Sequence, residues 1–283
     1  MELKIIECPR DAMQGLDTFV PTDVKIKYLD QLLKVGYHTL DCGSFVSPKA
    51  IPQMRDTAEV LDSLNMENTA TKLSVIVANQ RGIDDAVRNE RVSYLGYPFS
   101  VSEEFQKRNT NRSLDDSLDI VKYLVDHSSV YDKEVVIYIS MGFGNPYGEE
   151  WNAGIVEEWV GRIAELGVDY FSISDTVGVG DEASISEVFK RLISSYPQLE
   201  FGAHFHTREN EWREKVDAAW RNGCKRFDGA IAGFGGCPMA KDELVGNMPT
   251  ERLIDYFSEQ AVPTGLDLEE FIKARDLAAQ VFT

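Results

Sequence analysis

Two histidines set two residues apart offer the plainest chemistry in this chain: His204 and His206, in the stretch Phe201-Gly-Ala-His-Phe-His-Thr-Arg208. In an extended strand, positions i and i+2 face the same side. Two imidazoles on one face at a strand end form a chelating pair for a divalent metal. Imidazole suits zinc, iron or nickel, while carboxylate and amide oxygens draw the choice toward magnesium or manganese. The competing reading is a pair of half-exposed histidines on an edge strand. The polar residues elsewhere in the chain decide between the two.

Those residues recur at one kind of place, the end of an apolar run. Glu7, Arg10, Asp11 and Gln14 follow Leu3-Lys-Ile-Ile, and Asp41 and Ser44 follow His38-Thr-Leu. Asp175 and Thr176 close Asp169–Ser174, the histidine pair closes Leu199–His204, and Cys237 and Asn247 lie beyond Lys225–Ala230. Between these runs stand helical patterns such as Thr22–Gly36, with Thr22 as N-cap, and Trp151–Leu166. A helix is also expected from Ser47 and Pro48 to near Asn65, and Cys8-Pro-Arg-Asp-Ala-Met-Gln-Gly15 reads as a polar turn. Further strands are expected over Lys72–Ala78, Arg91–Gly96 and Glu134–Ser140. Eight strands separated by helices imply a parallel sheet, and in 283 residues a closed (β/α)₈ TIM barrel with extra C-terminal helices. The alternative, an open doubly wound sheet, lacks its glycine-rich phosphate turn after the first strand. In such a barrel the chemistry sits at the C-terminal strand ends, where the acids, the arginine, the histidines, the thiol and the amide gather.

Bulk properties narrow the partners. The net charge of −18 argues against nucleic acid and against an anionic membrane surface. No apolar run approaches the roughly 20 residues of a membrane span, and no signal peptide opens the chain. The four cysteines show neither zinc-ribbon nor disulfide spacing. A cytoplasmic protein with reduced thiols is expected, folded as one barrel domain over residues 1–283 with a lid loop and helical segment from about 235.

Five ordered motifs carry a family likeness. Cys8-Pro-Arg-Asp-Ala-Met-Gln resembles GPRDGLQ, and Ser44-Phe-Val-Ser-Pro-Lys with Pro52-Gln-Met resembles SFVSPK and PQM. Ser174-Asp-Thr-Val-Gly resembles the DT-[IV]-G step, His204-Phe-His resembles HCH, and Ala232-Gly-Phe-Gly-Gly-Cys-Pro resembles AGLGGCP. Together they resemble the 3-hydroxy-3-methylglutaryl-CoA lyase branch of the DRE-TIM metallolyases.

The resemblance implies that Asp11, His204, His206 and Asn247 hold a divalent metal, Mg²⁺ or Mn²⁺ first and Zn²⁺ as a further option. It implies an acyl-CoA substrate cleaved to acetyl-CoA and acetoacetate, a place in leucine degradation and a homodimer. Arg10 would meet the enolate with positive charge, and Cys237 would protonate it. Glu7, Asp41 and Asp175 would orient groups or act as base, and Gln14, Ser44 and Thr176 would bind substrate. Four departures bear on the substrate. Asp41 stands where the family has Glu, and Thr-Arg-Glu-Asn follows His206 where the family has an acid. Cys237–Asn247 is one residue longer and more charged, and Gly-Leu-Asp follows Gln14 where a coenzyme-A-binding lysine is common. Two rival readings remain at this level: a related aldolase or an acyl-CoA/2-oxo acid condensing enzyme, and a non-catalytic barrel serving as a binding subunit.

Overall fold

The structure, a computed structural model, describes residues 2–236 and 245–282. Eight strands close a barrel in sequence order: β1 Lys4–Glu7, β2 Thr39–Ser44, β3 Lys72–Ile76, β4 Val92–Ser100, β5 Glu134–Ser140, β6 Tyr170–Asp175, β7 Glu200–Phe205 and β8 Arg226–Gly229. Every neighbouring pair is parallel, and β1 seals against β8 from Lys4↔Arg226 to Glu7↔Gly229. Parallel strands need long crossovers, and here helices supply them. They are α2 Thr22–Val35, α3 Thr57–Ser63, α4 Gln80–Val87, α6 Leu114–Val130, α7 Ala153–Ala164, α8 Glu182–Ser195 and α9 Trp212–Arg221, with α10 Thr250–Glu259 and α11 Leu268–Val281 closing the chain. Two shorter helices, α1 Pro9–Gln14 and α5 Glu103–Thr110, sit directly on strand ends. No helix among the described residues is long and apolar enough to cross a membrane.

The helices form where apolar residues recur three and four apart. On α2, Tyr28, Leu29, Leu32 and Leu33 are buried, and Gly36 ends the helix in the left-handed region at φ 87°. The N-cap is Pro21 and not Thr22, whose hydroxyl instead donates to Asp56 at 2.8 Å. On α6, Ser113 and Asp116 complete a reciprocal capping box.

Three further local expectations are corrected. Cys8–Gly15 is no mere polar turn: Pro9 opens the helix α1, where its missing N–H costs nothing. The expected helix from Ser47 to Asn65 is a turn, a 3₁₀ segment Pro52–Met54 and the short α3. Strand β4 runs past Gly96, through Pro98, to Ser100. Pro98 cannot donate to a ladder, yet the strand continues through it.

Candidate active site

The strand β7 and the first turn of α1 bring the chemistry together. Along β6 and β7, alternate side chains face the barrel interior: Ser172 and Ser174 on β6, and His204 on β7, in register with Ser174 and with Asp228 of β8. His206 lies just past β7 and pairs by a backbone bridge with Asn247. Carboxylate and imidazole atoms of Asp11, His204 and His206 all lie within 4.8 Å of one another.

Each ring is held from behind. The Nδ1–H of His206 donates to the Thr176 carbonyl at 2.9 Å, and a carbonyl only accepts, so Nε2 carries the lone pair. That Nε2 is buried and has no hydrogen-bond partner. The Nδ1 of His204 meets Asp228 Oδ2 at 3.2 Å, a carboxylate that also accepts from Ser172 Oγ at 2.9 Å. Fixing one ring nitrogen so that the other is presented to a metal is the usual arrangement behind ligating histidines. An orphaned, buried imidazole nitrogen facing a carboxylate and a second imidazole fits a divalent cation, so the residues present suit the metal that the motifs imply.

The acids and the arginine form one network. Arg10 places Nε 3.1 and 3.2 Å from the two oxygens of Asp41 and Nη2 2.5 Å from Asp41 Oδ2. Its Nη1 donates to Asp11 Oδ1 at 2.9 Å and to Gln14 Oε1 at 3.0 Å. Gln14 Nε2 donates to Asp11 Oδ1 at 2.8 Å, and Asn247 Nδ2 donates to Asp11 Oδ2 at 2.7 Å. Burial pushes the Asp11 carboxyl up, yet Arg10, the two imidazoles and Asn247 together hold it at about 2. Burial lowers His206, and His204 beside it adds to the fall. For His204, burial is outweighed by the hydrogen bond and charge of Asp228, and the net shift is upward. Burial raises Asp41 against the pull of the Arg10 fork.

A cavity of about 360 Å³ opens above this network. Its polar floor is Arg10, Asp11, Gln14, Thr176, His204 and His206, and its walls include Val46, Ile51, Ile76, Phe105 and Tyr138. Of the residues singled out from the sequence, Arg10, Asp11, Gln14, Asp41, Thr176, His204, His206 and Asn247 meet here.

Three others are engaged elsewhere. Glu7 faces the helices, taking the Ile231 N–H at 2.7 Å and the Thr250 hydroxyl at 2.6 Å. Ser44 Oγ accepts the Val46 amide at 3.2 Å. Asp175 takes Lys215 Nζ at 2.7 Å and the amides of Val179 and Gly180 at 2.9 and 3.0 Å. Cys237 lies outside the described residues, as does the charged stretch Lys241–Glu243.

Sequence reasoning missed Asp228, Cys8 and Tyr138. Asp228 could have been found from register, because it stands opposite His204 on the neighbouring strand. The Cys8 thiol, pushed well up by burial, gathers with His204 and Asp228 within 4.8 Å. Tyr138 sets its ring edge-on to His204, with centroids 5.7 Å apart.

Comparison with known proteins agrees with this geometry. The HMGL-like family model matches residues 3–278. A cytoplasmic 3-hydroxy-3-methylglutaryl-CoA lyase of Rattus norvegicus is 31% identical over 275 residues, covering 97% of this chain and 79% of the relative. A hydroxymethylglutaryl-CoA lyase of Bacillus subtilis is 29% identical over 269 residues, covering 94% of this chain and 88% of the relative. An HMG-CoA lyase from Acinetobacter baumannii, solved in complex with coenzyme A and 3-methylmalate, superimposes with a TM-score of 0.91 at 28% identity, covering 99% of this chain and 91% of that one.

Proposed function

The chain belongs to the HMGL-like family and is a lyase, and we propose that it cleaves 3-hydroxy-3-methylglutaryl-CoA to acetyl-CoA and acetoacetate with the help of a divalent cation. The observation that carries the metal is the unpartnered Nε2 of His206, buried and facing Asp11 and His204. Mg²⁺ or Mn²⁺, held by Asp11, His204, His206 and Asn247, would supply Lewis acidity that eases transfer of the substrate's tertiary hydroxyl proton to a carboxylate of the site acting as base.

The chain's own residues do the rest. Breaking the carbon–carbon bond leaves an electron pair on the thioester fragment, as the enolate of acetyl-CoA. Arg10 meets that charge, its guanidinium already set by Asp41, Asp11 and Gln14. A donor fixed before reaction stabilises charge without reorganising. Asp41 is committed to Arg10 through both carboxylate oxygens, so aiming Arg10 is its task. Gln14 and Thr176 line the cavity, which supports a role for both in binding the acyl group. Protonation at carbon calls for one positioned acid, and Cys237 is our choice for it. We also hold to a homodimer, which light scattering of the purified chain checks directly.

The test follows acetoacetate release from the HMG thioester by Mn²⁺-loaded protein, with a chelator-treated control. Release that stops with chelator and returns with Mn²⁺ is the expected result. Release at the full rate after chelation overturns the metal, and no release from the loaded enzyme overturns the substrate.

A further inference from the structure

We infer that Asp175 acts as a positioning residue through Lys215: the two form a buried ion pair that aims His206 from outside the barrel. The inference rests on the metal-dependent reading above and concerns how one ligand is held.

Asp175 ends β6 in the position that faces the helices, since Ser172 and Ser174 face the interior. Its partner, Lys215 of α9, is 1% exposed. Lys215 Nζ spends its three hydrogens on Asp175 Oδ2 at 2.7 Å, the Gly178 carbonyl at 3.1 Å and the His206 carbonyl at 3.1 Å. Asp175 in turn holds the amides of Val179 and Gly180 with its carboxylate, and accepts the His206 amide on its own carbonyl at 3.3 Å.

The residue between these anchors is Thr176, whose carbonyl fixes the His206 tautomer. One ammonium therefore grips the backbone of His206 and the turn that orients its ring. Neither Asp175 nor Lys215 lines the cavity. A buried lysine with three acceptors in place is a point charge used as a clamp, and removing either partner strands the other's charge. Groups behind a metal ligand typically change metal affinity by about 10–100-fold when lost.

The experiment measures Mn²⁺ binding directly, by titration calorimetry, and kcat at saturating Mn²⁺, for the wild type, Asp175→Asn, Lys215→Met and the double variant. Thermal melts of each variant verify folding. Each single change is expected to raise the Mn²⁺ Kd about 10–100-fold while most of kcat survives at saturating metal. The double variant should bind no worse than the weaker single, because the residues act as a unit. Asp175→Asn that binds Mn²⁺ as the wild type does but loses kcat overturns the inference and makes Asp175 a group that acts on substrate. Losses that multiply in the double variant overturn it as well. If Lys215→Met does not fold, the near-isosteric Asp175→Asn and the double variant, which strands no charge, carry the same comparison. A wild-type chain that binds no Mn²⁺ overturns the metal reading itself; one that binds, with variants that bind equally well, overturns this inference alone.

Discussion

Arg10 is the residue on which the proposed chemistry leans most, and its environment explains why lysine cannot replace it. Its guanidinium spans Asp41 on one side and Asp11 and Gln14 on the other, a planar fork that a point-charge ammonium does not reproduce. Arg10→Lys is therefore expected to lower kcat by about 10²-fold or more when measured at saturating Mn²⁺. A lysine variant near the wild-type kcat would mean that Arg10 only holds the acids in place. Glu7 makes a different prediction. Burial raises its carboxyl from an ordinary 4.5 to about 8, against the hydrogen bonds from Thr250 and Ile231. The folded chain therefore keeps a proton that the unfolded chain releases above 4.5. Stability from this group is full below that value, declines as pH rises, and is gone above about 8. Glu7→Gln mimics the neutral acid, so its melting temperature should gain on the wild type as pH climbs through this window and stay level beyond it. A constant difference between the two proteins across the range would place the Glu7 carboxyl in its ionised form throughout. The site was largely legible in the residue types: Arg10, Asp11, Asp41 and the histidine pair converge as their positions at strand ends implied. What sequence could not convey was side-chain direction. Glu7 and Asp175 also end strands, yet they face the helices, because direction alternates residue by residue and depends on the register of closure.

At the scale of elements, the segment that follows β8 matters most, because it delivers Asn247 to Asp11. Gly235 shows how tightly that segment is fitted. Its φ is +93°, and a Cβ there would lie 2.8 Å from Ala12 Cα, from the Asp11 carbonyl oxygen and from Asn247 Nδ2. Alanine at this position is strained in backbone and crowds two of the four proposed ligands at once. Gly235→Ala is expected to weaken Mn²⁺ binding at least about tenfold, while a barrel built mostly of other elements keeps its circular dichroism. Wild-type Mn²⁺ affinity in that variant would show that the segment moves aside freely. The barrel itself was readable because hydrophobic period changes cleanly between strand and helix. The failures cluster at the rim. Helix α5 is short and polar, with only Phe105 and Gln106 buried, so no apolar stripe announced it. Helix α1 hid behind a proline that reads equally well as a turn residue or as a helix's first position. The rim is where function requires polar residues, and polar residues are what period-based reading cannot place.

The whole molecule sets a problem for its proposed substrate. The chain carries 47 acidic against 29 basic residues, a net charge of −18, and a coenzyme A thioester is itself polyanionic. Approach is opposed by the protein's field, and capture must rely on local cations such as Arg112, which is bound at 2.9 Å to the carbonyl of the cavity-wall residue Ala78. The two effects respond oppositely to salt. The Debye length falls from about 30 Å at 0.01 M to about 8 Å at 0.15 M, so added salt screens the molecule-wide repulsion more than a contact of hydrogen-bond length. Since kcat/KM is referred to free enzyme and free substrate, it contains the full work of bringing the two together. We therefore expect kcat/KM for the coenzyme A thioester to rise as NaCl increases across that range. The pantetheine thioester of the same acyl group, which lacks the nucleotide phosphates, should respond much less. Steady-state rates at fixed Mn²⁺ and limiting substrate make the comparison. A fall in kcat/KM with salt for the coenzyme A thioester alone would mean that a cationic rim outweighs the net charge, and that the lysine missing after Gln14 has been replaced by basic residues elsewhere around the mouth of the cavity.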